Sequence, residues 1–392
     1  MSGVAGTSVD PHRRTLEVYD RAAAEWQARR HPEYGDVRQF NRELIRAAPD
    51  HRVADLGCGP GWHLPELPTG AVGLDGAAAM LGLAAVAAPA APLVQADLRS
   101  LPFADRSLTA AWADRSYVHL ARSAVPLAWW DLHRALRVGA PVYLRLFGGD
   151  QEHAHFAEDD VPGRSFSTWP LDLLRAVVEG AGFGVELVER RESDGFEQMV
   201  LWLRRRRTLA DTVGPRMQLL LVGLNPSLVA ADAGVGFHRP GNRAWPALLA
   251  AGLASSDRDP RRLLVDHRIG MTDLVKRATP RADELTGDEY RAGLARLELL
   301  CRWLRPAAVC VVGLTGWRAA TGAAATAGPQ ARRLGGRPVY LMPNPSGANA
   351  HVQLDDLVAH LVAARELADA SARELADTSA RELAGRSGEG RG

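Results

Sequence analysis

Two short loops in the second half of the chain carry side chains suited to chemistry on a flat ring. Asn225 lies in Gly-Leu-Asn-Pro-Ser, residues 223–227, and its amide can hold a water molecule by hydrogen bonding, although it is no real base. Phe237, twelve residues further on, offers a flat apolar face for a planar ring. The second loop, Met-Pro-Asn-Pro-Ser-Gly at 342–347, follows a short apolar run. Backbone N–H groups beside Asn225 could donate to a ring carbonyl.

A glycine-rich loop in the first half has a different chemistry. Residues 53–61 read Val-Ala-Asp-Leu-Gly-Cys-Gly-Pro-Gly, in which an apolar run and Asp55 precede three glycines. Asp75 ends the next strand-like segment, about 20 residues on, where a carboxylate can hold ribose hydroxyls. Asp97 ends the third such segment. Glycine lets the backbone approach a ligand closely, and the glycines concerned are Gly57, Gly59 and Gly61.

Strands that end at one edge of a sheet must position these loops. Strand-like and helix-length segments alternate through the first half, which predicts a parallel α/β sheet. Parallel strands would also place the two loops of the second half at one sheet edge, facing each other across one cleft. The expected strands of the first half are 52–56, 71–74, 93–95, 108–113 and 141–147, with an antiparallel pair near 183–189 and 199–203 and a helix over 12–30.

The chain of 392 residues should hold two domains and their connections. A run of four arginines at 204–207 indicates a boundary, and Ala-Arg-Glu-Leu-Ala repeats near the end indicate a segment without chemistry. The expected divisions are a first domain at 1–206, an Arg-rich linker at 207–216, a second domain at 217–368 and a low-complexity tail at 369–392.

Charge and cysteine usage bound the function. Residues 217–368 carry 18 basic and 13 acidic side chains, whereas residues 1–206 carry 23 and 27, so the second half is the better candidate to bind a polyanion. Lys276 is the only lysine, which leaves a Schiff-base mechanism almost no amine. The three cysteines have no metal spacing, and no signal peptide or apolar run of roughly 20 residues occurs. We therefore expect no metal, no membrane and a cytoplasmic, nucleoid-associated protein.

The glycine-rich loop and the aspartates that follow it resemble class I S-adenosylmethionine-dependent methyltransferases, over about residues 12–203. The form Asp-x-Gly-Cys-Gly-x-Gly favours this family over a nicotinamide-binding Rossmann domain, which stays open as an alternative. The resemblance implies a Rossmann-like domain with S-adenosylmethionine as its cofactor. In it the glycine loop and Asp55 hold the methionine part, Asp75 the ribose, and Asp97 the adenine.

The methyl acceptor is not specified by the sequence. Residues 113–117 read Ala-Asp-Arg-Ser-Tyr, not the Asn/Asp-Pro-Pro-Tyr loop of enzymes that methylate exocyclic amines, and no Pro-Cys nucleophile is present. The first half thus resembles the small-molecule branch, while RNA, DNA or no turnover remain open. The histidines that could act as bases are His119, His133, His153 and His155.

Several ordered motifs of the second half resemble the mismatch-specific uracil/thymine-DNA glycosylases, over about residues 217–368. They are Phe-His-Arg-Pro-Gly-Asn-Arg-Ala-Trp at 237–245, Gly-Met-Thr-Asp-Leu-Val at 270–275 and Asn-Pro-Ser-Gly at 344–347, besides the loop at 223–227. The resemblance implies an α/β/α uracil-DNA-glycosylase-like domain with a central parallel sheet and no cofactor.

The same resemblance assigns roles to single residues. Asn225 would position the attacking water, and Phe237 would stack on the flipped base. Base contacts would come from Gly223, Leu224 and Ser227, and the residues that would enter the duplex are Asn344, Ser346, Gly347, Ala348, Asn349 and Ala350. Ser227 replaces a frequent glycine and Ala348 a larger leucine, which predicts weak duplex invasion. The water-activating Asp loop of the fast uracil-specific enzymes is missing, which predicts a slow enzyme.

Together the motifs predict a monomeric, monofunctional DNA glycosylase fused to a methyltransferase domain. It would hydrolyse the N-glycosidic bond of uracil, thymine or a damaged pyrimidine in double-stranded DNA with a G·U or G·T mismatch, as in base-excision repair. The alternative is a small-molecule methyltransferase that carries a non-catalytic DNA-binding module.

Overall fold

A computed structural model describes residues 10–47, 50–156, 159, 161–193, 195–322, 324–347, 349 and 351–389. The chain divides into two compact units between Arg206 and Arg207, with Gly180–Gly182 grouped with the second. Each unit has its own sheet. The predicted α/β fold class is confirmed in both.

The first unit opens with two helices and continues as an α/β unit. Its first helix begins at Pro11 because Asp10 caps it, accepting the His12 N–H at 3.1 Å. The helices are Pro11–Arg29 (α1), Gly35–Ala47 (α2), Ala78–Ala87 (α3), Val125–Ala135 (α4) and Leu171–Gly180 (α5), with single 3₁₀ turns at Leu64–Glu66, Tyr117–His119 and Arg122–Ala124. The strands are Val53–Leu56 (β1), Val72–Asp75 (β2), Leu93–Gln95 (β3), Ala110–Asp114 (β4), Pro141–Gly148 (β5), Thr168–Trp169 (β6), Phe183–Ser193 (β7) and Phe196–Arg205 (β8).

The strand order of the first sheet is β3-β2-β1-β4-β5-β8-β7, with β6 beside β5. Strands β1 to β5 are parallel, and β7 and β8 form the antiparallel pair that the sequence predicts. Trp112 and Tyr143 stack at 3.8 Å between ring centroids in the core below β4 and β5. The order reverses beside β1, so the loops after β1 and β4 leave the sheet at one edge, where α/β folds bind ligands.

The second unit is a smaller α/β unit. Its helix α9 begins at a capping box in which Thr286 accepts the Glu289 N–H and Glu289 accepts the Thr286 N–H. The helices are Leu228–Ala233 (α6), Ala244–Ala250 (α7), Pro260–His267 (α8), Gly287–Leu304 (α9), Leu314–Thr321 (α10) and Leu354–Glu389 (α11), with a 3₁₀ turn at Ala282–Glu284. The strands are Leu219–Gly223 (β9), Ile269–Asp273 (β10), Ala308–Val312 (β11), Gly328–Leu334 (β12) and Arg337–Met342 (β13).

The second sheet has the order β10-β9-β11-β13-β12. Its first four strands are parallel, and only β12 runs antiparallel. Strands β9 and β13 flank β11, so the loops after them, at 224–227 and 343–347, leave the same edge of the sheet. The predicted placement of the two loops at one edge is confirmed.

Residues 207–216, predicted as a linker, pack within the second unit. Asp211 is buried and pairs with Lys276 at 2.7 Å, and Thr212 exchanges two backbone hydrogen bonds with Met271. Thr208 is also buried and donates to the Lys276 carbonyl. The polar composition predicts a solvated linker. In the structure these residues are buried, and the hydrogen-bonding partners described above compensate for the burial of their polar groups.

The predicted tail at 369–392 is also different in the structure. Helix α11 continues through Glu389, and its buried face extends to Ser371, which accepts a hydrogen bond from Arg337 at 3.0 Å. Ala364 and Ala368 lie four residues apart on that face and are fully buried. The repeats therefore begin inside a packed helix, and residues 390–392 lie outside the described residues.

No helix in the described part of the chain combines the length and the apolar character that crossing a bilayer requires.

Candidate functional sites

Backbone hydrogen bonds fix the loop after β9 against the segment after β10. The Leu274 N–H donates to the Gly223 carbonyl at 2.8 Å, and the Val275 N–H donates to the Leu224 carbonyl at 2.9 Å. Thr279 continues the pairing, since its N–H donates to the Pro226 carbonyl at 3.1 Å. The backbone on both sides of Asn225 is thereby held in register.

The Asn225 side chain is oriented by its own amide nitrogen. Its Nδ2 donates to Thr279 Oγ1 at 2.7 Å and to the Arg277 carbonyl at 3.0 Å. Thr279 is buried, and its hydroxyl donates a hydrogen bond to the Arg281 carbonyl at 2.7 Å. Its oxygen is therefore the acceptor in the bond with Asn225 Nδ2. With both amide protons engaged, the Oδ1 atom of half-buried Asn225 is the one that can accept from a water. Thr279 has no role in the sequence prediction, because only the fold brings it to Asn225.

Phe237 lies beside the end of β9 in a conformation that is uncommon for its residue type. Its φ of 57° is left-handed, and its ring is partly buried against the core. The ring tip is 3.6 Å from the place a Cβ on Gly223 would take. Trp245 holds the preceding backbone, since its Nε1 donates to the Gly236 carbonyl at 2.9 Å. A partly buried aromatic residue in this uncommon backbone conformation is a candidate for ligand contact.

The two other residues predicted to contact a base have side chains with other partners. Ser227 Oγ accepts the Ala230 N–H at 3.2 Å and caps α6. The Leu224 side chain extends to Gly316 on α10. Contacts from this loop to a base would therefore have to come from its backbone.

Arg243 ties the loop after β13 to the segment that carries Phe237. Its N–H donates to the Pro345 carbonyl at 3.0 Å, and its guanidinium donates to the carbonyls of Ser346 at 3.1 Å, Asn349 at 2.9 Å and Val352. The side chain of Arg243 thus satisfies three backbone carbonyls that would otherwise need water, and its backbone N–H satisfies a fourth.

The predicted wedge residues lie within this restrained loop. Asn344 organises it from inside, since its Oδ1 accepts the Ser346 N–H at 3.0 Å and its carbonyl accepts from Asn349 Nδ2 at 3.1 Å. Gly347 packs so closely on the Gly241 backbone that a Cβ would lie 2.8 Å from the Gly241 carbonyl oxygen. Ala348 and Ala350 lie outside the described residues.

Asp273, the last residue of β10, is a candidate site residue that has no role in the sequence prediction. Its carboxyl lies where a Cβ on Gly223 would collide with it, beside Phe237. Burial raises the pKa of the Asp273 carboxyl to about 6; Lys276 and Arg296 oppose the rise, and Asp211 adds to it. A carboxyl whose pKa burial raises toward neutrality, beside a candidate binding residue, is typical of functional sites.

We expect no strand cleavage at the abasic product. The amine of Lys276 is buried in ion pairing with Asp211 at 2.7 Å and is therefore not placed to form an imine with a sugar. Borohydride trapping on an abasic duplex should give no enzyme–DNA adduct. An adduct formed by the wild type and lost in Lys276→Arg, which keeps the charge, would contradict this.

The glycine loop of the first unit needs glycine for two physical reasons. Gly57 has a φ of 75°, and a Cβ there would collide with Ser116 in the loop after β4. Gly61 has a φ of 78°, and a Cβ there would lie 2.8 Å from Ala84 of α3. The loop therefore packs between α3 and the loop after β4 with its backbone uncovered.

Asp75 stands at the end of β2 with its carboxylate held by backbone. Its Oδ2 accepts the Gly59 N–H and its Oδ1 accepts the Ala77 N–H, both at 2.8 Å. Burial raises the pKa of Asp75, and these hydrogen bonds oppose the rise. Each oxygen keeps a lone pair, so the carboxylate can still accept hydrogen bonds from a ligand's hydroxyls.

Asp97 has a more crowded environment than its predicted adenine contact requires. Arg99 donates to both carboxylate oxygens at 2.7 to 3.1 Å, and His12 Nε2 lies 3.4 Å from Oδ1. Burial would raise the pKa of Asp97, but the hydrogen bonds from His12 and Arg99 outweigh it and hold that pKa well below its usual range. An adenine amine would have to share this carboxylate with both partners.

A cavity of about 510 Å³ brings most of these residues together. Gly57, Gly59, Asp75 and Asp97 line it, as does His119 among the four candidate histidines. Gly61 and Asp55 do not line it. Asp55 is buried in β1, where burial and then the nearby carboxylates raise its pKa well above the usual range. Its predicted cofactor contact stays a prediction.

Two family models match the chain, one in each unit. Residues 53–139 match the model described as a methyltransferase domain, and residues 210–366 match the uracil DNA glycosylase superfamily. The chain therefore joins a methyltransferase domain to a domain of the uracil DNA glycosylase superfamily, and the predicted fusion is confirmed.

Within the described residues no group of histidine, cysteine and acidic side chains is arranged to hold a metal ion.

Solved structures similar to the chain include proteins described as S-adenosylmethionine-dependent methyltransferases. One from Methanosarcina mazei is 20% identical with a TM-score of 0.37, covering 42% of this chain and 97% of its own. One from Mesorhizobium loti is 18% identical with a TM-score of 0.34, covering 42% and 96%. The DhpI–SAH complex is 21% identical with a TM-score of 0.40, covering 51% and 99%.

Proposed function

We propose that the second unit is a monofunctional DNA glycosylase that removes uracil or a related pyrimidine mispaired with guanine. The observation that carries the proposal is the orientation of Asn225, whose amide protons are engaged by Thr279 and Arg277 so that its oxygen can hold a water. Phe237 lies beside the same strand end, with the tip of its ring 3.6 Å from the position that a Cβ on Gly223 would take, and would supply the flat face for the base. The Asn225 amide is not a general base, so this chemistry would depend on departure of the base ahead of water attack.

The proposal is tested by measuring abasic sites formed on G·U, A·U and single-stranded uracil substrates. A mismatch costs less to open than a stable pair, so excision from G·U should exceed excision from A·U. DNA binding without abasic product on any of the three substrates would instead support a non-catalytic binding module.

We further propose S-adenosylmethionine as the methyl donor of the first unit. The uncovered backbone of the glycine loop and the carboxylate of Asp75 fit a ligand with a methionine part and a ribose. This cofactor, when bound, supplies an electrophilic methyl group. The protein's residues would hold it, with Asp75 accepting from the ribose hydroxyls.

Asp75→Ala is expected to weaken S-adenosylmethionine binding by roughly 1–3 kcal/mol, the usual cost of losing a polar partner in a buried site. The loss of S-adenosylmethionine binding in Asp97→Ala should lie at the lower end of that range, because Arg99 and His12 already contact the Asp97 carboxylate. Calorimetry on the full chain measures both, with Asp105→Ala as an exposed control. Equal affinity of the wild type and Asp75→Ala would remove Asp75 from the site, and glycosylase activity should be unchanged in all three variants.

A further inference from the structure

Aromatic rings form an unbroken series along the cavity of the first unit. Trp62 stacks on Trp26 at 5.2 Å between ring centroids, and Trp26 is followed by Tyr19 at 6.1 Å. Tyr19 continues to His119 at 5.3 Å, and His119 to Phe166 at 4.9 Å. All five line the same cavity as the glycine loop.

Three more phenylalanines extend the series. Phe156 lies 5.0 Å from Phe166 and 4.5 Å from Phe196, and Phe147 lies 5.5 Å from Phe196. These rings come from α1, from strands β5 and β8, and from the loops after β1, β4 and β5, so tertiary structure assembles them around an open volume. Offset and edge-on rings of this kind favour a flat aromatic partner.

The buried charges at this cavity compensate one another. Arg164 pairs with Asp159 and lies 5.3 Å above the rings of both Tyr19 and Phe166. Asp114, which also lines the cavity, pairs with Arg145 at 3.0 Å. Beside the proposed S-adenosylmethionine, an acceptor that carried a charge among these rings would have to break such pairs or add an uncompensated charge, which costs several kcal/mol. A neutral ligand is therefore favoured.

Tyr19 offers this cavity a hydrogen-bond acceptor of fixed direction. Burial, with the nearby charges of Arg164 and His12, lowers the pKa of His119 to about 3, so its ring is neutral. Its Nδ1 donates to the Ser165 carbonyl at 2.9 Å, so Nε2 accepts the Tyr19 hydroxyl proton at 2.9 Å. The Tyr19 oxygen also accepts from Arg164 at 2.9 Å and keeps one lone pair for a ligand donor.

We propose that the first unit methylates a neutral, flat aromatic small molecule with a hydroxyl or ring N–H group, bound among these rings. The proposal rests on S-adenosylmethionine being the donor. In the transfer, the acceptor oxygen or nitrogen bonds to the methyl carbon as the sulfur–carbon bond breaks. The bonding electron pair stays on sulfur, and the acceptor's proton passes to water.

The first test compares probes that differ only in aromaticity or charge. The full chain is titrated with 1-naphthol, with its saturated analogue decahydro-1-naphthol and with 1-naphthoate, each with and without S-adenosylhomocysteine. 1-Naphthol should bind about tenfold or more tighter than the other two, the scale of one or two ring contacts. Equal binding of naphthol and its saturated analogue, or no binding of naphthol, overturns the proposal. Binding of S-adenosylhomocysteine alone is scored separately, and its absence would contradict the proposed donor instead.

The second test uses variants that keep apolar volume and remove a ring. Phe166→Leu and Trp26→Leu should each weaken 1-naphthol binding about fivefold or more. Both should leave S-adenosylhomocysteine affinity nearly unchanged, which also reports that they fold. Tyr34→Leu, a partly buried ring outside the cavity lining, serves as the matched control. Unchanged naphthol affinity in both ring variants would overturn the proposal.

Discussion

Asn225→Ala is expected to lower the single-turnover rate of uracil excision about 100-fold or more, the scale of losing one hydrogen-bonding group used in the transition state. The physical reason is the loss of the one side-chain oxygen that Thr279 and Arg277 orient toward a water. DNA affinity should change little, because phosphate contacts supply most of it. Excision on a G·U duplex, with binding measured in parallel, checks both statements.

Two further variants separate water positioning from general damage. Gln330→Ala removes an amide of similar size on β12, whose hydrogen bonds are to its own turn, and should excise like the wild type. Thr279→Val frees the Asn225 amide to rotate and should cost about tenfold, the scale of one lost hydrogen bond, with recovery in Thr279→Ser. Wild-type rates in Asn225→Ala would remove this residue from the mechanism.

Much of the architecture was readable from the sequence because local patterns and tertiary packing agree. The five parallel strands of the first unit fall within two residues of the predicted segments, since each is a short apolar run bounded by turn residues. The two-residue strand β6 has no such pattern and was not predicted. Its pairing with β5 depends on a contact between Phe147 and Thr168, which are distant in sequence.

Two predicted divisions, the linker at 207–216 and the tail at 369–392, fall on polar or repetitive sequence that has buried partners elsewhere in the chain. Residues 207–216 suggested a linker, yet Asp211 is buried because Lys276 and Arg296 neutralise it from elsewhere in the chain. Burial would raise the pKa of Asp211, but these two cations lower it below the usual range. A low-complexity composition likewise concealed the buried face of α11. No local pattern encodes such long-range pairing.

The residues of the candidate sites also form two groups, those that sequence motifs predict and those that the fold brings beside them. Motifs identified Asn225, Phe237 and Asp75 because their residue types and spacing carry chemistry. Thr279, which orients Asn225, comes from another segment and is revealed only by the fold. Positioning groups lie nearby in space but not in sequence, so a single sequence seldom identifies them.

The second large expected effect concerns Asp273, because the charge of its carboxyl changes near neutral pH beside the proposed binding site for the nucleobase. Its carboxyl lies against Gly223 at the end of β9. The tip of the Phe237 ring is 3.6 Å from the position that a Cβ on Gly223 would take. Burial raises the pKa of Asp273 to about 6, so the carboxyl is neutral in mildly acidic buffer and ionised at pH 8. Under the proposed chemistry, negative charge builds on the departing base, and an ionised carboxylate nearby would oppose it.

Excision of uracil from G·U should therefore fall as the pH rises through about 6. A pair of like charges about 8 Å apart at an effective dielectric constant of about 20 repels by about 2 kcal/mol, or roughly 30-fold in rate. Asp273→Asn keeps the shape without the charge and should lose this decline. The ratio of variant to wild-type single-turnover rates between pH 5 and pH 8 isolates the effect from every other titrating group.

The pH dependence of folding stability tests the ionisation of the Asp273 carboxyl independently of activity. A folded-state pKa near 6, above the ordinary 3.8, gives stability that is fully present below 3.8 and lost as the pH rises through 6. The melting temperature of Asp273→Asn relative to the wild type should therefore increase between pH 5 and pH 8, by a few degrees. Asp257→Asn, an exposed aspartate, should show no such trend. If both rate ratio and melting difference stay constant with pH, Asp273 does not titrate beside the site, and the electrostatic argument for it fails.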